Sequence, residues 1–337
     1  MPFAPVTIRD EAAAKINLSL DVIDRRDDGY HNIDSVMQAI SLTDGVTVAV
    51  APFLRPENGG GADVRQVKPD QQTDHLAGHR AFVCQETLLS IALKCSRSVP
   101  IDETNTAVKA ARLWCQYTAA ANLEIKISLE KHIPMGSGLG GGSSDAATVL
   151  RLLNRLAREK KIGVAPLSTK LLFDIAAMIG ADVPFCLYGG IARCRGIGEI
   201  VDPLNPLPQW PLILAIPAFS FSTAARYKAL DGLALELLRR PDTEALLQAI
   251  DRRDLFGINE NAFNVFSNLP DTNVAFLEEA LIKTGADMVR MTGSGPVVFA
   301  LYASEEHRDL SLEGLIAAAN EDTEFLPAHL VHSASSL

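Results

Sequence analysis

Five glycines fall within seven residues of Pro134-Met-Gly-Ser-Gly-Leu-Gly-Gly-Gly-Ser-Ser-Asp-Ala-Ala147, and two serines follow at once. Glycine lets the main chain approach a ligand closely, and the first turn of a helix leaves its N–H groups without internal partners. Together these features suit a bound phosphate. The flanking residues supply the frame. Leu123-Glu-Ile-Lys-Ile-Ser-Leu-Glu130 alternates apolar and polar residues and predicts a half-buried strand. Ala146, Val149, Leu150, Leu153 and Leu156 recur at helical spacing and predict a helix with one apolar stripe. Ser143 and Ser144 stand where its N-cap belongs. Gly136, Gly138 and Gly141 also fit the Gly-x-Gly-x-x-Gly pattern of dinucleotide sites. Such a site wants an acidic residue about 20 positions on; this chain has Lys160 and Lys161 there and no clear strand. No Gly-Lys-Ser/Thr follows, which argues against a P-loop. A loop without a ligand stays open as the plain alternative.

Four further clusters carry chemistry. In Ala12-Ala-Ala-Lys-Ile-Asn-Leu-Ser-Leu20 a strand puts Lys15, Asn17 and Ser19 on one face and Ala14, Ile16, Leu18 and Leu20 on the other. That polar face is either solvated or aimed into a cleft. Asp27-Asp-Gly-Tyr-His31 delivers Tyr30 and His31 from a turn, either as a packed hairpin tip or as an aromatic face beside an imidazole, suited to a base or sugar ring. Gly180-Ala-Asp-Val-Pro184 holds Asp182 before a Val-Pro pair that predicts extended backbone. Asp182 is either a turn residue or a general base. Met291-Thr-Gly-Ser-Gly-Pro296 opens an apolar strand and is either a tight turn or a second close approach to a ligand.

The elements that must position these residues follow from periodicity. Strands are predicted at 11–23, 46–52, 184–194, 212–217 and 296–302. Helices are predicted at 105–120, 168–179, 223–239, 242–251 and 271–284, and the mixture reads as α+β layers. The 105–120 helix gathers Ala107, Ala110, Ala111, Trp114 and Cys115 on one face. Residues 53–100 stand apart as an inserted, partly mobile surface region. It has turn-rich stretches at Glu57–Ala62 and Lys68–Asp74 and one short helix over Thr87–Leu93. The 337 residues suffice for two domains. A hydrophobic content of 47% with 21% charged residues suits a globular enzyme. The net charge of −10 argues against nucleic acid as a partner. No apolar run approaches a membrane span, and the first ten residues carry no secretory signal pattern. The five cysteines, Cys84, Cys95, Cys115, Cys186 and Cys194, lack metal-site spacing and read as reduced, mostly buried thiols of a cytoplasmic protein.

Taken in chain order, Lys-Ile-Asn-Leu, Asp-Gly-Tyr-His, Pro-Met-Gly-x-Gly-Leu-Gly-Gly-Gly-Ser-Ser, Gly-Ala-Asp-Val-Pro and Thr-Gly-Ser-Gly resemble the GHMP kinase superfamily from about residue 11 to about residue 302. Asp-Gly-Tyr-His and Gly-Ala-Asp-Val-Pro point to its members that act on 4-diphosphocytidyl-2-C-methyl-D-erythritol. The resemblance implies an N-terminal domain like domain 2 of ribosomal protein S5, over 1–180, and a ferredoxin-like C-terminal domain over 181–337. It implies ATP and Mg²⁺ as cofactors and phosphorylation of the 2-hydroxyl of that cytidine diphosphate-linked substrate, in non-mevalonate isoprenoid biosynthesis. It leaves the state as monomer or homodimer and names no metal ligand.

By the same resemblance Lys15 and Asp182 are catalytic, and Asn17, Tyr30, His31 and Tyr227 bind substrate. The ATP loop is Pro134, Met135, Gly136, Ser137, Gly138, Leu139, Gly140, Gly141, Gly142, Ser143 and Ser144, with Asn105 and Lys131 lining the nucleotide pocket. The residue chemistry agrees: Asp182 can take the hydroxyl proton, Lys15 can balance negative charge, and main-chain N–H groups can hold phosphates. The chain has Ala13 where the family has Pro, and Asp145 where it has Asn. A carboxylate there favours the helix dipole but would repel phosphate unless it faces Mg²⁺ or solvent. Homoserine, mevalonate or a sugar is the alternative acceptor, although none of them carries a base for Tyr30 and His31. A nucleotide-binding regulator would need neither Lys15 nor Asp182.

Overall fold

The computed structural model describes residues 3–53, 81–84, 89–102, 104–319 and 322–332. The chain begins with two long strands, β1 (Val6–Arg25) and β2 (His31–Pro52), joined by the Asp-Gly turn. Then come β3 (Ala81–Cys84), β4 (Leu89–Cys95), α1 (Thr106–Tyr117), β5 (Leu123–Glu130), α2 (Gly141–Arg158), α3 (Thr169–Ile179), α4 (Val183–Tyr188), β6 (Ile191–Gly196) and β7 (Ile200–Pro203). The strands form one sheet in the order β3-β4-β5-β2-β6-β7, with β1 paired to β2. Among the described strands of this sheet only β4 and β5 run parallel, joined through α1. The predicted face of α1 is buried, and it packs on α2, which also contacts β1 and α4.

The rest of the described chain is β8 (Pro211–Pro217), α5 (Thr223–Leu230), α6 (Thr243–Asp251), α7 (Leu255–Asn261), α8 (Thr272–Ile282), β9 (Met288–Met291), β10 (Val298–Leu301), α9 (Glu305–Ala318) and β11 (Thr323–His329). Its four strands lie in the order β11-β8-β10-β9, every neighbour antiparallel. Numbered along this half, that order is 4-1-3-2, the ferredoxin-like arrangement. The α+β expectation is met.

Several boundaries differ from the sequence reading. The helix expected over 87–93 gives way to β4, where Leu89, Ile91 and Leu93 are buried beside β5. The two turn-rich stretches before it lie outside the described residues. The strand expected at 184–194 is replaced by α4 followed by β6. Pro184 sits in the first turn of α4, where its missing N–H has no helical acceptor to lose. Because β6 and β7 pair into the first sheet, the change of layer falls between Pro203 and Pro211 rather than at 180/181. The helix expected over 223–239 ends at Leu230, followed by a 3₁₀ turn at Leu235–Leu237. The described cysteine side chains, Cys95, Cys115, Cys186 and Cys194, are all free thiols. Among the described residues no helix is long and apolar enough to cross a membrane.

After β11 the chain returns to the first sheet. Leu330 bridges to Ile40, the Val331 N–H donates to the Ala39 carbonyl at 3.1 Å, and Gln38 Nε2 donates to the Val331 carbonyl at 2.8 Å.

Candidate active site

The β1–β2 register breaks three times, between Ala13 and Lys15, between Asn17 and Ser19, and between Val22 and Asp24. Such bulges re-aim side chains, and here they flank the polar residues of β1. Both faces of this strand are buried, so the solvated alternative falls away: Lys15 is 4% exposed and Asn17 2%. Lys15 Nζ lies 3.3 Å from Asp182 Oδ2 and donates to Asn17 Oδ1 at 2.8 Å. Asp182 stands at the N-cap of α4 without capping it, which leaves its carboxylate to Lys15 and to a cleft of about 980 Å³.

The phosphate loop and the Thr-Gly-Ser-Gly loop close on the same cleft. Gly136, Gly138, Gly140, Gly141, Gly142 and Ser143 line it, with Gly293 and Ser294 opposite. The N-cap of α2 is Gly140, at φ +75°, not Ser143 or Ser144. The Ser144 hydroxyl instead donates to the Ala13 carbonyl at 2.7 Å and ties α2 to β1. A Cβ on Gly140 would lie 2.9 Å from Lys15 Cγ. Gly140→Ala is therefore expected to destabilise the fold by about 1–2 kcal/mol. By moving Lys15 it should also lower kcat by about tenfold or more. A thermal melt and steady-state kinetics check both effects, and a variant with wild-type kcat would refute the crowding argument.

Of the other loop residues, the Pro134 carbonyl accepts from Ser137 Oγ at 2.6 Å, the Leu139 carbonyl accepts from the Lys15 N–H at 2.9 Å, and Met135 is 55% exposed. Asn17 lines the cleft and is held by several protein hydrogen bonds. Its Oδ1 also accepts from the Gly293 N–H at 3.1 Å, and its Nδ2 donates to Ser35 Oγ at 2.8 Å. Its N–H donates to Thr292 Oγ1 at 2.8 Å. Asn17 thus joins Lys15 to the second glycine loop.

The aromatic end of the cleft holds Tyr30, His31 and Tyr227. Tyr30 is 61% exposed. His31 and Tyr227 stack with ring centroids 4.6 Å apart, and Tyr227 meets Phe266 edge-on at 4.9 Å. Burial, helped by the negative charge of Asp182, pushes the Tyr227 phenol up to about 12. Asp231, which sequence reasoning missed, sits 2.7 Å from His31 Nε2. Thr106, Thr223 and Lys228 were also missed. They lie on ordinary helical turns, and nothing in their spacing marks them.

Asn105 and Lys131 do not line the cleft. Asn105 caps α1 by accepting from the Ala107 N–H at 2.9 Å, and its neighbour Thr106 faces the cleft instead. Lys131 is buried beneath the start of α2, where Nζ donates to Asp145 Oδ2 at 2.6 Å and to Asp44 Oδ2. Asp44 Oδ1 accepts from the N–H groups of His132 and Ile133 at 2.6 and 2.8 Å. Asp145 therefore faces neither phosphate nor solvent. Its Oδ1 is buried without a hydrogen bond. Burial, opposed by Lys131, pushes its carboxyl up to about 6. Burial acts to lower the Lys131 ammonium, but Asp145 and Asp44 override it and hold it above the usual lysine range.

Among the described residues no cluster of three His, Cys, Asp or Glu side chains could hold a metal ion. One carboxylate, that of Asp182, reaches the cleft beside the phosphate loop. This fits an ion carried mostly by substrate phosphates, as Mg²⁺ is in phosphoryl-transfer sites.

Comparison with known proteins places this geometry in a family. Residues 105–190 match the model of the GHMP kinases N terminal domain, and 234–320 that of the GHMP kinases C terminal domain. A 4-diphosphocytidyl-2-C-methyl-D-erythritol kinase of Geobacillus thermodenitrificans is 37% identical over 308 residues, 90% of this chain and 91% of that one. One from Alkaliphilus metalliredigens is 34% identical over the same shares. A crystal structure of 4-(cytidine 5'-diphospho)-2C-methyl-D-erythritol kinase superposes with a TM-score of 0.68 at 29% identity, covering 96% of this chain and 99% of that one. Homoserine kinase from Cytophaga hutchinsonii shares the fold at 17% identity, with a TM-score of 0.66 over 97% and 95% of the two chains. The chain belongs to the GHMP kinase family, among the 4-diphosphocytidyl-2-C-methyl-D-erythritol kinases.

Proposed function

We propose that this chain transfers the γ-phosphoryl group of ATP to the 2-hydroxyl of 4-diphosphocytidyl-2-C-methyl-D-erythritol, giving the 2-phosphate and ADP. The observation that carries this reading is the Lys15–Asp182 pair, 3.3 Å apart, between a glycine-rich phosphate loop and a stacked His31–Tyr227 pair in one cleft. A hydroxyl is a poor nucleophile, and phosphoryl transfer gains most from alignment and charge stabilisation. Asp182 accepts the hydroxyl proton as the oxygen attacks. Lys15, fixed by Asn17, stabilises negative charge on the group in transit. The N–H groups at the start of α2 hold the β- and γ-phosphates. Asp182 and Ser143 are the side chains that would hold Mg²⁺, which would supply neutralisation of the phosphate charge.

The acceptor follows from the aromatic end of the cleft, since homoserine and mevalonate offer nothing for a flat ring to stack on. The test is Mg²⁺-dependent ADP release on the cytidylated substrate, run beside homoserine, mevalonate and galactose. Turnover on the cytidylated compound alone is expected. Turnover on another acceptor would keep the kinase and overturn the substrate. Tyr30→Ala and His31→Ala are expected to raise KM for the cytidylated substrate by about tenfold or more and leave KM for ATP nearly unchanged. An equal rise in both would remove these residues from the acceptor site.

A further inference from the structure

Only one ring nitrogen of His31 has a hydrogen-bond partner among the described residues. Its Nε2 lies 2.7 Å from Asp231 Oδ1, while Nδ1 has no hydrogen-bond partner among the described residues, and the residue lines the cleft. Asp231 is itself fixed. Its N–H donates to the Tyr227 carbonyl at 2.9 Å at the end of α5, and Arg25 Nη1 lies 3.6 Å from its Oδ2. The ring of Tyr227, one helical turn earlier, stacks on the same imidazole. One short segment of the second domain thus sets both the plane of His31 and the partner of its Nε2.

We propose that Asp231 is a positioning residue that makes this site select cytosine over uracil, by fixing the tautomer of His31. An ionised carboxylate only accepts hydrogen bonds, so a neutral imidazole facing it carries its proton on Nε2. Nδ1 is then the ring's free acceptor, on a residue that lines the cleft. It takes a hydrogen from the exocyclic amine of cytosine. Uracil carries a carbonyl oxygen at that position, and two acceptors face each other with neither satisfied. Read from residue type alone, a neutral imidazole offers one donor and one acceptor to a base; here the donor is already engaged by Asp231. The proposal deepens the function given above and rests on it for the presence of a pyrimidine.

Two measurements test it without requiring turnover. Long-range ¹H–¹⁵N spectra of the labelled full chain at pH 8, assigned with His31→Asn, report which ring nitrogen of His31 is protonated. Calorimetric titration with CDP and with UDP gives the base preference. The wild type is expected to show the Nε2–H tautomer and to favour CDP. Asp231→Ala should mix the tautomers and shrink the CDP/UDP affinity ratio by about tenfold, while Asp231→Glu, which keeps an acceptor, should restore much of it. A wild-type Nδ1–H tautomer would overturn the proposal. So would equal affinity for the two nucleotides, no affinity for either, or an unchanged ratio in folded Asp231→Ala. A preference for CDP that depends on Asp231, in a protein without kinase turnover, would support the proposal and count against the proposed reaction alone.

Discussion

Asp182→Asn is expected to lower kcat by about 10²–10⁴-fold, the usual contribution of a placed proton acceptor. The substitution keeps size and shape, and Asp182 makes no capping bond that the fold depends on. An amide cannot take the hydroxyl proton, and Lys15 loses the charge it faces at 3.3 Å. In the proposed reaction the glycine loop holds the nucleotide, so the ATP affinity of the variant, read by calorimetry, should stay within about threefold of wild type. A variant with full turnover would remove Asp182 from the chemistry. A loss confined to ATP affinity would make it a nucleotide ligand instead.

Lys131→Met is expected to cost about 3–5 kcal/mol, because it leaves the carboxylates of Asp44 and Asp145 buried without their shared cation. Urea unfolding followed by circular dichroism measures it, and a loss below about 1 kcal/mol would sink the argument. Asp145→Asn is expected to go the other way, since it leaves one ammonium facing one carboxylate. The sign depends on pH. The Asp145 carboxyl is raised from 3.8 to about 6 on folding, so the native state binds its proton more tightly than the unfolded chain does. That stabilising contribution is complete below about pH 4 and is lost as pH rises through about 6. The stability difference between Asp145→Asn and wild type should therefore move in favour of the variant between pH 4.5 and pH 7.5. A difference that does not change over that interval would show that Asp145 carries no such shift.

The site was legible where a residue's role is local. The alternation of β5, the glycine run and the stripe of α2 are each set by neighbours within a few residues, and these elements stand where periodicity puts them. Lys15 and Asp182 came from resemblance rather than spacing, since alternation alone leaves Lys15 as an outward residue. The burial of both faces of β1 is a tertiary fact. Asp44 was hidden for the opposite reason. Thr43-Asp44-Gly45 has the composition of a turn, yet β2 runs straight through it. Asp44 and Gly45 pair with Ala12 and Glu11 of β1. Lys131 and Asp145 are 14 residues apart and pair only because the loop after β5 turns the start of α2 back onto Lys131. Asp231 is 200 residues from His31. Such pairings leave no trace in local pattern.

The return of the chain after β11 bears on how the protein is made. Leu330 and Val331 are synthesised long after Gln38, Ala39 and Ile40, against which they lie. β2 waits with that stretch uncovered until Leu330 and Val331 are synthesised. β8, at the centre of the second sheet, likewise lacks its β11 neighbour until then. Exposed strand edges are where nascent chains pair with the wrong partner. The interval between synthesis of β2 and arrival of Leu330 is thus the period when this polypeptide exposes these strand edges to mispairing.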